Sequence, residues 1–229
     1  AGRVLATALG GCFCDWCRKV ATDTGVDFDG IKERLRGIAD SINNPTLEQS
    51  HEHSLLLASN TTAAAVLLEV PELYQWLQFR RNSVTRFFKA VHDRIHAIRD
   101  NIDLRLNAYI TQNQELSGLD LRALKPHLDS IRSSDYSEQS GDINRLEHKR
   151  AWLMSVRRAV GDEMYFLSAI GTRPKATPEI VRQGVVVSAQ CGVDGITIGH
   201  YDGASLGLLR AVGEGLKLAD VELPPGRGK

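Results

Sequence analysis

The sequence predicts an α/β fold: a partial (β/α)-barrel of about four parallel strand–helix units, preceded by an N-terminal helical region that carries a cysteine cluster. Three observations carry that expectation. Segments whose apolar residues recur at period two alternate four times with segments at helical period, the order expected of parallel strands joined by helical crossovers. Polar residues stand directly after the strands, at Tyr109, Asp135-Tyr136, Thr172-Arg173 and His200-Tyr201-Asp202, where the catalytic loops of a barrel lie. No glycine-rich dinucleotide loop follows any strand, although a doubly wound sheet satisfies the same alternation.

Residues 1–70 read as a cysteine-cluster and helical insertion region and residues 71–229 as the barrel units, together one structural domain. Asp15 to Asp23 is a short helix closed by Gly25, the residue type favoured just past a helix end. Asp27 caps a second helix through about Ile42, with Ile31, Leu35 and Ile38 on one face, and Asn43-Asn44-Pro45 ends it. Leu55 to Leu68 fits a helix or a buried loop equally well. From Pro71 the spacing predicts a long helix with Leu73, Leu77, Val84, Phe88, Val91, Ile95 and Ile98 on its apolar face. The period then switches over Asn101 to Ile110, where Leu104, Leu106 and Ala108 alternate as in a strand. Leu121–Leu124 is a helical turn, and strands follow at Leu128–Ser133, Met164–Ile170 and Gly195–Gly199. Helices at Ile143–Val160, Pro178–Cys191 and Ala204–Leu218 separate and follow them.

Composition excludes several classes of partner. The 229 residues are 42% hydrophobic and 24% charged, ordinary values for one globular core. Lys plus Arg and Asp plus Glu number 28 each, so no general attraction to nucleic acid or an anionic membrane surface is expected. No apolar run approaches the roughly 18 residues a membrane span needs. A cytoplasmic setting is favoured, with no signal that fixes it. The chain opens at Ala1 rather than at a methionine, as a processed, trimmed or partly recorded chain would.

The most specific feature is Gly11-Cys12-Phe13-Cys14-Asp15-Trp16-Cys17-Arg18. Three of the four cysteines fall within six positions, a clustering that points to metal rather than to a distributed disulfide framework. The spacing puts three thiolates on one tight turn into a helix. Zinc accepts sulfur and imidazole and prefers four ligands, so a structural zinc at Cys12, Cys14 and Cys17 is the expected cofactor. Cys191, His51, His53 or a residue upstream of Ala1 would supply the fourth ligand; Cys191 reads better as a buried helix-end residue, and the two histidines as solvated. Three reduced thiols without metal are the bland alternative.

This run, followed by a helix and the Gly25-Val26-Asp27 turn, resembles the segment after the fourth barrel strand in family 42 glycoside hydrolases and related uncharacterised barrel hydrolases. The placement of Arg81-Asn82-Ser83-Val84-Thr85 on a long helix, a strand ending near Tyr109, and Asp129 to Tyr136 is similar as well. The resemblance extends over nearly the whole chain, with the cysteine run as its sharp motif. It implies three zinc cysteines here and a fourth on an earlier loop. It also implies a catalytic Glu or Asp shortly before the run and a nucleophile at the end of the seventh barrel strand. This chain departs at both places: Ala6-Thr7-Ala8-Leu9-Gly10-Gly11 and Ser168-Ala169-Ile170-Gly171-Thr172-Arg173 contain no carboxylate.

Glycoside hydrolysis needs two carboxyl groups about the scissile bond. The remaining candidates are Asp135 and Glu138 after the second strand and Asp202 beside His200 after the last. Tyr109, Tyr136, Arg173 and Tyr201 are the candidate substrate contacts. Each has an ordinary alternative: helix capping or surface hydration for Asp135 and Glu138, a turn before Gly203 for Asp202, solvation for Arg173. Trp16, Trp76 and Trp152 fall in helical patterns where packing is the default; sugar stacking is open only to Trp16. The expected function is therefore a carbohydrate-active barrel hydrolase, or the C-terminal portion of one. The alternative is a non-catalytic, zinc-stabilised binding or structural subunit on the same scaffold. Water activation by the cysteine zinc is the weakest reading, because a fully ligated zinc is usually structural. Four units leave two sheet edges unpaired, so an upstream segment or another chain is expected to complete a barrel of about eight strands.

Overall fold

A computed structural model describes residues 11–43, 46, 67–68, 70–108, 118–173 and 175–222. The chain forms two compact units, Ala1–Phe87 with Asn113–Asp120, and Phe88–Gln112 with Leu121–Lys229. The division between the units falls inside a long helix.

The first unit contains helices α1 (Asp15–Asp23) and α2 (Phe28–Asn43) and the first part of α3 (Pro71–Ile98). Gly25 takes φ 73°, and its N–H donates to Thr22 O at 3.0 Å while Val26 N–H reaches Ala21 O at 2.9 Å. This is the left-handed helix ending that glycine adopts without strain. Asp27 Oδ1 accepts from Gly30 N at 3.0 Å, the capping role expected of it. Ile31 and Leu35 are buried with Ala21, Phe28, Leu73, Trp76, Leu77 and Phe79, and Ile38 is partly buried against them. Trp76 is the centre of this core: Phe13 stacks on it at 4.7 Å, and Phe28 and Phe79 lie 5.9 and 5.4 Å away.

The second unit contains the rest of α3 and a four-stranded sheet. Its strands are β1 (Arg105–Ala108), β2 (Ser130–Ser133), β3 (Tyr165–Gly171) and β4 (Gly195–Gly199). All pair in parallel, and their spatial order follows the chain. The α-helices are α4 (Leu121–Leu124), α5 (Arg145–Val160), α6 (Pro178–Gln190) and α7 (Leu206–Glu222), seven in the described residues with those above. The architecture is therefore mixed α/β with a parallel sheet in sequential order, and a doubly wound reversal of strand order does not occur among the described strands. The half-buried Val84, Phe88, Val91 and Ile95 continue the predicted face of α3, whereas Ile98 at its end is exposed.

The two faces of the sheet differ in chemistry because side chains alternate along a strand. One face meets the helices. Trp152 Nε1 on α5 donates to Ser133 Oγ at 2.8 Å, Ser168 and Ser188 share a hydrogen bond of 2.9 Å, and Ile170 packs with Val181, Val185, Leu208, Ala211 and Val212. The register puts Asn107, Arg132 and Leu167 in one row of the other face, which also bears Arg105, Ser130 and Thr197. There the contacts are polar: Arg132 Nε donates to Thr197 Oγ1 at 2.7 Å and Arg105 Nε to Ser130 Oγ at 2.8 Å.

Candidate metal centre and strand-end site

In the first unit, Phe13 is the residue that shapes the cysteine turn. Its ring is held in the aromatic core by Trp76 and Phe28, which leaves its neighbours Cys12 and Cys14 exposed. Gly11 lies so close to the Trp76 indole that an added Cβ would collide with the ring. Cys14 is the residue before α1, and Arg18 N–H donates to its carbonyl at 3.0 Å. The sulfurs of Cys12, Cys14 and Cys17 all lie within 4.8 Å of one another. Tetrahedral zinc with bonds of about 2.3 Å needs sulfurs about 3.8 Å apart, so this group can hold a metal ion after a small contraction.

The electrostatics of the turn set Cys14 and Cys17 apart. Cys14 is lowered to about 7, first by the Cys17 backbone N–H and then by the thiols of Cys12 and Cys17. An N–H donor at a helix start favours a thiolate. Cys17 is raised to about 12, chiefly by burial and then by its two thiol neighbours. Of the fourth-ligand candidates, Cys191 is buried within the second unit and its Sγ faces Arg150 O at 3.8 Å; His51 and His53 lie outside the described residues. Trp16 stands 72% exposed beside the cluster rather than packed in a core. Trp76 is enclosed, and Trp152 is fixed by its hydrogen bond to Ser133.

In the second unit, residues after β2, β3 and β4 converge. Arg132 Nη2 donates to the Tyr136 hydroxyl at 3.0 Å, and the Tyr136 ring lies 5.9 Å from that of His200. A Cβ at Gly199 would collide with the Tyr136 ring, so the missing side chain there lets Tyr136 lie on the β4 backbone. His200 takes φ 57°, ψ 44°, a left-handed conformation uncommon outside glycine. Arg173 Nη2 lies 3.1 Å from His200 Nδ1. A guanidinium only donates, so Nδ1 accepts and the ring proton belongs on Nε2. Thr172 Oγ1 donates to Gly199 O at 2.7 Å, fixing the β3 and β4 ends to each other.

Asp135 is 4% exposed. Its Oδ1 accepts from Ser137 N at 2.8 Å and from Ser137 Oγ at 2.7 Å. Its Oδ2 is buried with no hydrogen-bond partner. Tyr201 and Asp202 are exposed on the short 3₁₀ turn Tyr201–Gly203. Tyr109 lies outside the described residues.

Glu138 lies in a buried ion pair. It is fully enclosed with Lys149. Lys149 Nζ donates to Glu138 Oε1 at 2.6 Å and to Ala169 O at 2.7 Å, and Glu138 Oε2 accepts from Gly171 N at 3.0 Å. At Gly184 of α6 an added Cβ would meet the Glu138 carboxyl. The pair joins the turn after β2 to α5, β3 and α6. Sequence reasoning named Glu138 but missed Lys149, whose signal is a lysine on the inward face of a helical pattern. It also missed His92 and His96, four apart on α3, a spacing that places two imidazoles on one helix face.

A shallow depression of about 400 Å³ near the C-termini of α5 and α6 is lined by Met154, Arg157, Arg158, Asp162, Gln190 and Cys191 among others. Arg157 donates there to Gly161 O, Met164 O and Asp194 at 2.8 to 2.9 Å, and no strand-end candidate lines this depression. Among the described residues no helix is long and apolar enough to cross a membrane. Compared with protein-family models, curated proteins and solved structures, the chain matches none.

Proposed function

We propose that this chain is a barrel-type hydrolase acting on carbohydrate, or the C-terminal portion of one, with its ligand at the carboxyl ends of β2, β3 and β4 and a structural zinc at Cys12, Cys14 and Cys17. The observation that carries the reading is Asp135: one carboxylate oxygen is satisfied by Ser137, and the other is buried with no hydrogen-bond partner. Buried polar atoms are normally paired, so an unpaired acceptor at a strand end is where a sugar hydroxyl would donate. Tyr136, Arg173, His200 and Tyr201 add hydroxyl, imidazole and guanidinium groups suited to a polyhydroxylated ligand. Asp202 is the candidate second carboxyl group within the chain, and an upstream segment is the other source. The barrel reading is supported by the sequential parallel order, the helices on one face and the polar row on the other. The outer edges of β1 and β4 are where a further segment or chain would pair.

The alternative is a non-catalytic binding or structural subunit on the same scaffold, and one observation favours it. Both oxygens of the Glu138 carboxylate are engaged inside the protein, by Lys149 and by Gly171 N. Turnover of a panel of nitrophenyl glycosides, with sugar binding followed by NMR, separates the two. The hydrolase reading expects turnover that Asp135→Asn abolishes while the fold is kept. Binding without turnover in the unaltered protein supports the subunit reading, and neither binding nor turnover contradicts both.

A further inference from the structure

We infer that His92, His96 and Asp129 form a second metal site, for a divalent first-row transition ion such as zinc, at the end of the sheet opposite the strand-end residues. His92 and His96 lie on successive turns of α3 with ring centroids 4.3 Å apart. Asp129 stands just before β2. One ligand atom from each of the three falls within 4.8 Å of the others. Two imidazoles and a carboxylate are a donor set that zinc and its neighbours accept, with a position left for water. His127, whose ring is 6.3 Å from that of His92, stands next to the set.

The hydrogen bonds at His96 show which of its nitrogens would face an ion. Its Nδ1 lies 3.0 Å from the Asp100 carbonyl oxygen, which only accepts, so Nδ1 carries a proton. Its Nε2 lies 3.0 Å from Asp129 Oδ2, another atom that only accepts. A cation must therefore lie between Nε2 and Oδ2, either a proton on Nε2 or a metal ion in its place. Metal binding releases that proton to water and leaves Nδ1–H on the Asp100 carbonyl, the outer hydrogen bond that orients a ligating imidazole. Asp129 is held ready from the other side, since Leu104 N donates to Oδ2 at 2.8 Å. His92 supplies the independent observation: its Nδ1 is buried with no hydrogen-bond partner, the nearest carboxylate being Asp93 at 3.6 Å. The side chains remain 22 to 33% exposed, which gives an ion a route in. An ion here ties the end of α3 to the starts of β1 and β2, a stabilising position rather than one on the strand-end side.

The test is cobalt(II) binding to the chelator-stripped full chain, read by visible absorption. A thiolate site gives strong sulfur-to-cobalt charge transfer, whereas the histidine–aspartate site gives weak ligand-field bands alone, so failure of one site is distinguishable from failure of the other. The expected result is a sulfur-free cobalt signal whose affinity falls at least about tenfold in His92→Gln, with the thermal midpoint of the metal-free protein unchanged. His96→Gln, which also breaks the Asp129 hydrogen bond, is the second variant and should lose the same signal. A cobalt spectrum with only thiolate character, or a sulfur-free signal indifferent to both substitutions, would show that His96 and Asp129 form an ordinary hydrogen bond and overturn the site.

Discussion

Lys149 and Glu138 form an ion pair at 2.6 Å with neither side chain exposed to solvent. Lys149 also holds the Ala169 carbonyl of β3, and Glu138 the Gly171 amide, so the charges sit on hydrogen bonds that a parallel strand leaves available at its end. Removing one partner of such a pair strands the other in a low-dielectric interior. Glu138→Ala and Lys149→Ala are each expected to lose about 3 to 5 kcal/mol in urea denaturation. The double replacement Glu138→Leu with Lys149→Met should recover a large part of that loss, because it leaves no buried charge. A cost below about 1 kcal/mol for either single change would mean that the pair is not enclosed as described.

The cysteine turn makes a chemical prediction. In metal-free protein near pH 7, Cys14, lowered to about 7, should alkylate fastest, because the thiolate is the reactive form. Cys17, raised to about 12 by burial and its thiol neighbours, should alkylate slowest. Stoichiometric zinc should protect all three together. Mass spectrometry of timed iodoacetamide reactions reads the order, and equal rates with and without zinc would remove the metal centre.

The His96–Asp129 pair bounds a pH window in the metal-free protein. The hydrogen bond from His96 to Asp129 raises the histidine, against a smaller effect of burial. Its contribution is complete below the ordinary histidine value and is lost as pH rises through the raised one. For Asp129, burial pushes the carboxyl up, but the Leu104 N–H and His96 outweigh it and hold it below its ordinary value. That contribution is present above the ordinary carboxylate range and is lost as pH falls through the lowered value. Stability should therefore peak between the two, and Asp129→Asn should flatten both edges in denaturation curves from about pH 3 to about pH 9. Unchanged edges would place the pH dependence elsewhere.

The elements were legible because each is set by local pattern. Asp15–Asp23, Leu121–Leu124 and Gly195–Gly199 occur as the period and capping residues place them, and Gly25 ends its helix where a left-handed residue is needed. The candidate site was legible in part. Tyr136, Arg173 and His200 meet because parallel strands deliver their ends to one side. The pairing of Glu138 with Lys149 was not legible, since two residues eleven apart on a turn and a helix meet only through the packing of α5 on the sheet. Likewise His92 and His96 announce themselves by spacing, but Asp129 joins them from the start of β2, 33 positions beyond His96. Trp16 is exposed on α1, whereas Phe13 and Trp76 pack together in the core.

Asp135 is proposed to receive a carbohydrate at the strand ends. A crystal structure of the protein soaked with a non-hydrolysable thioglycoside, or with a polyhydroxylated iminosugar, tests it most directly. The predicted result is a sugar between the ends of β2, β3 and β4, with Asp135 Oδ2 accepting from a sugar hydroxyl or ring nitrogen and Tyr136 or His200 against the ring. A sugar bound away from those strand ends, or an Asp135 Oδ2 paired with a protein donor and no sugar at all, would contradict it.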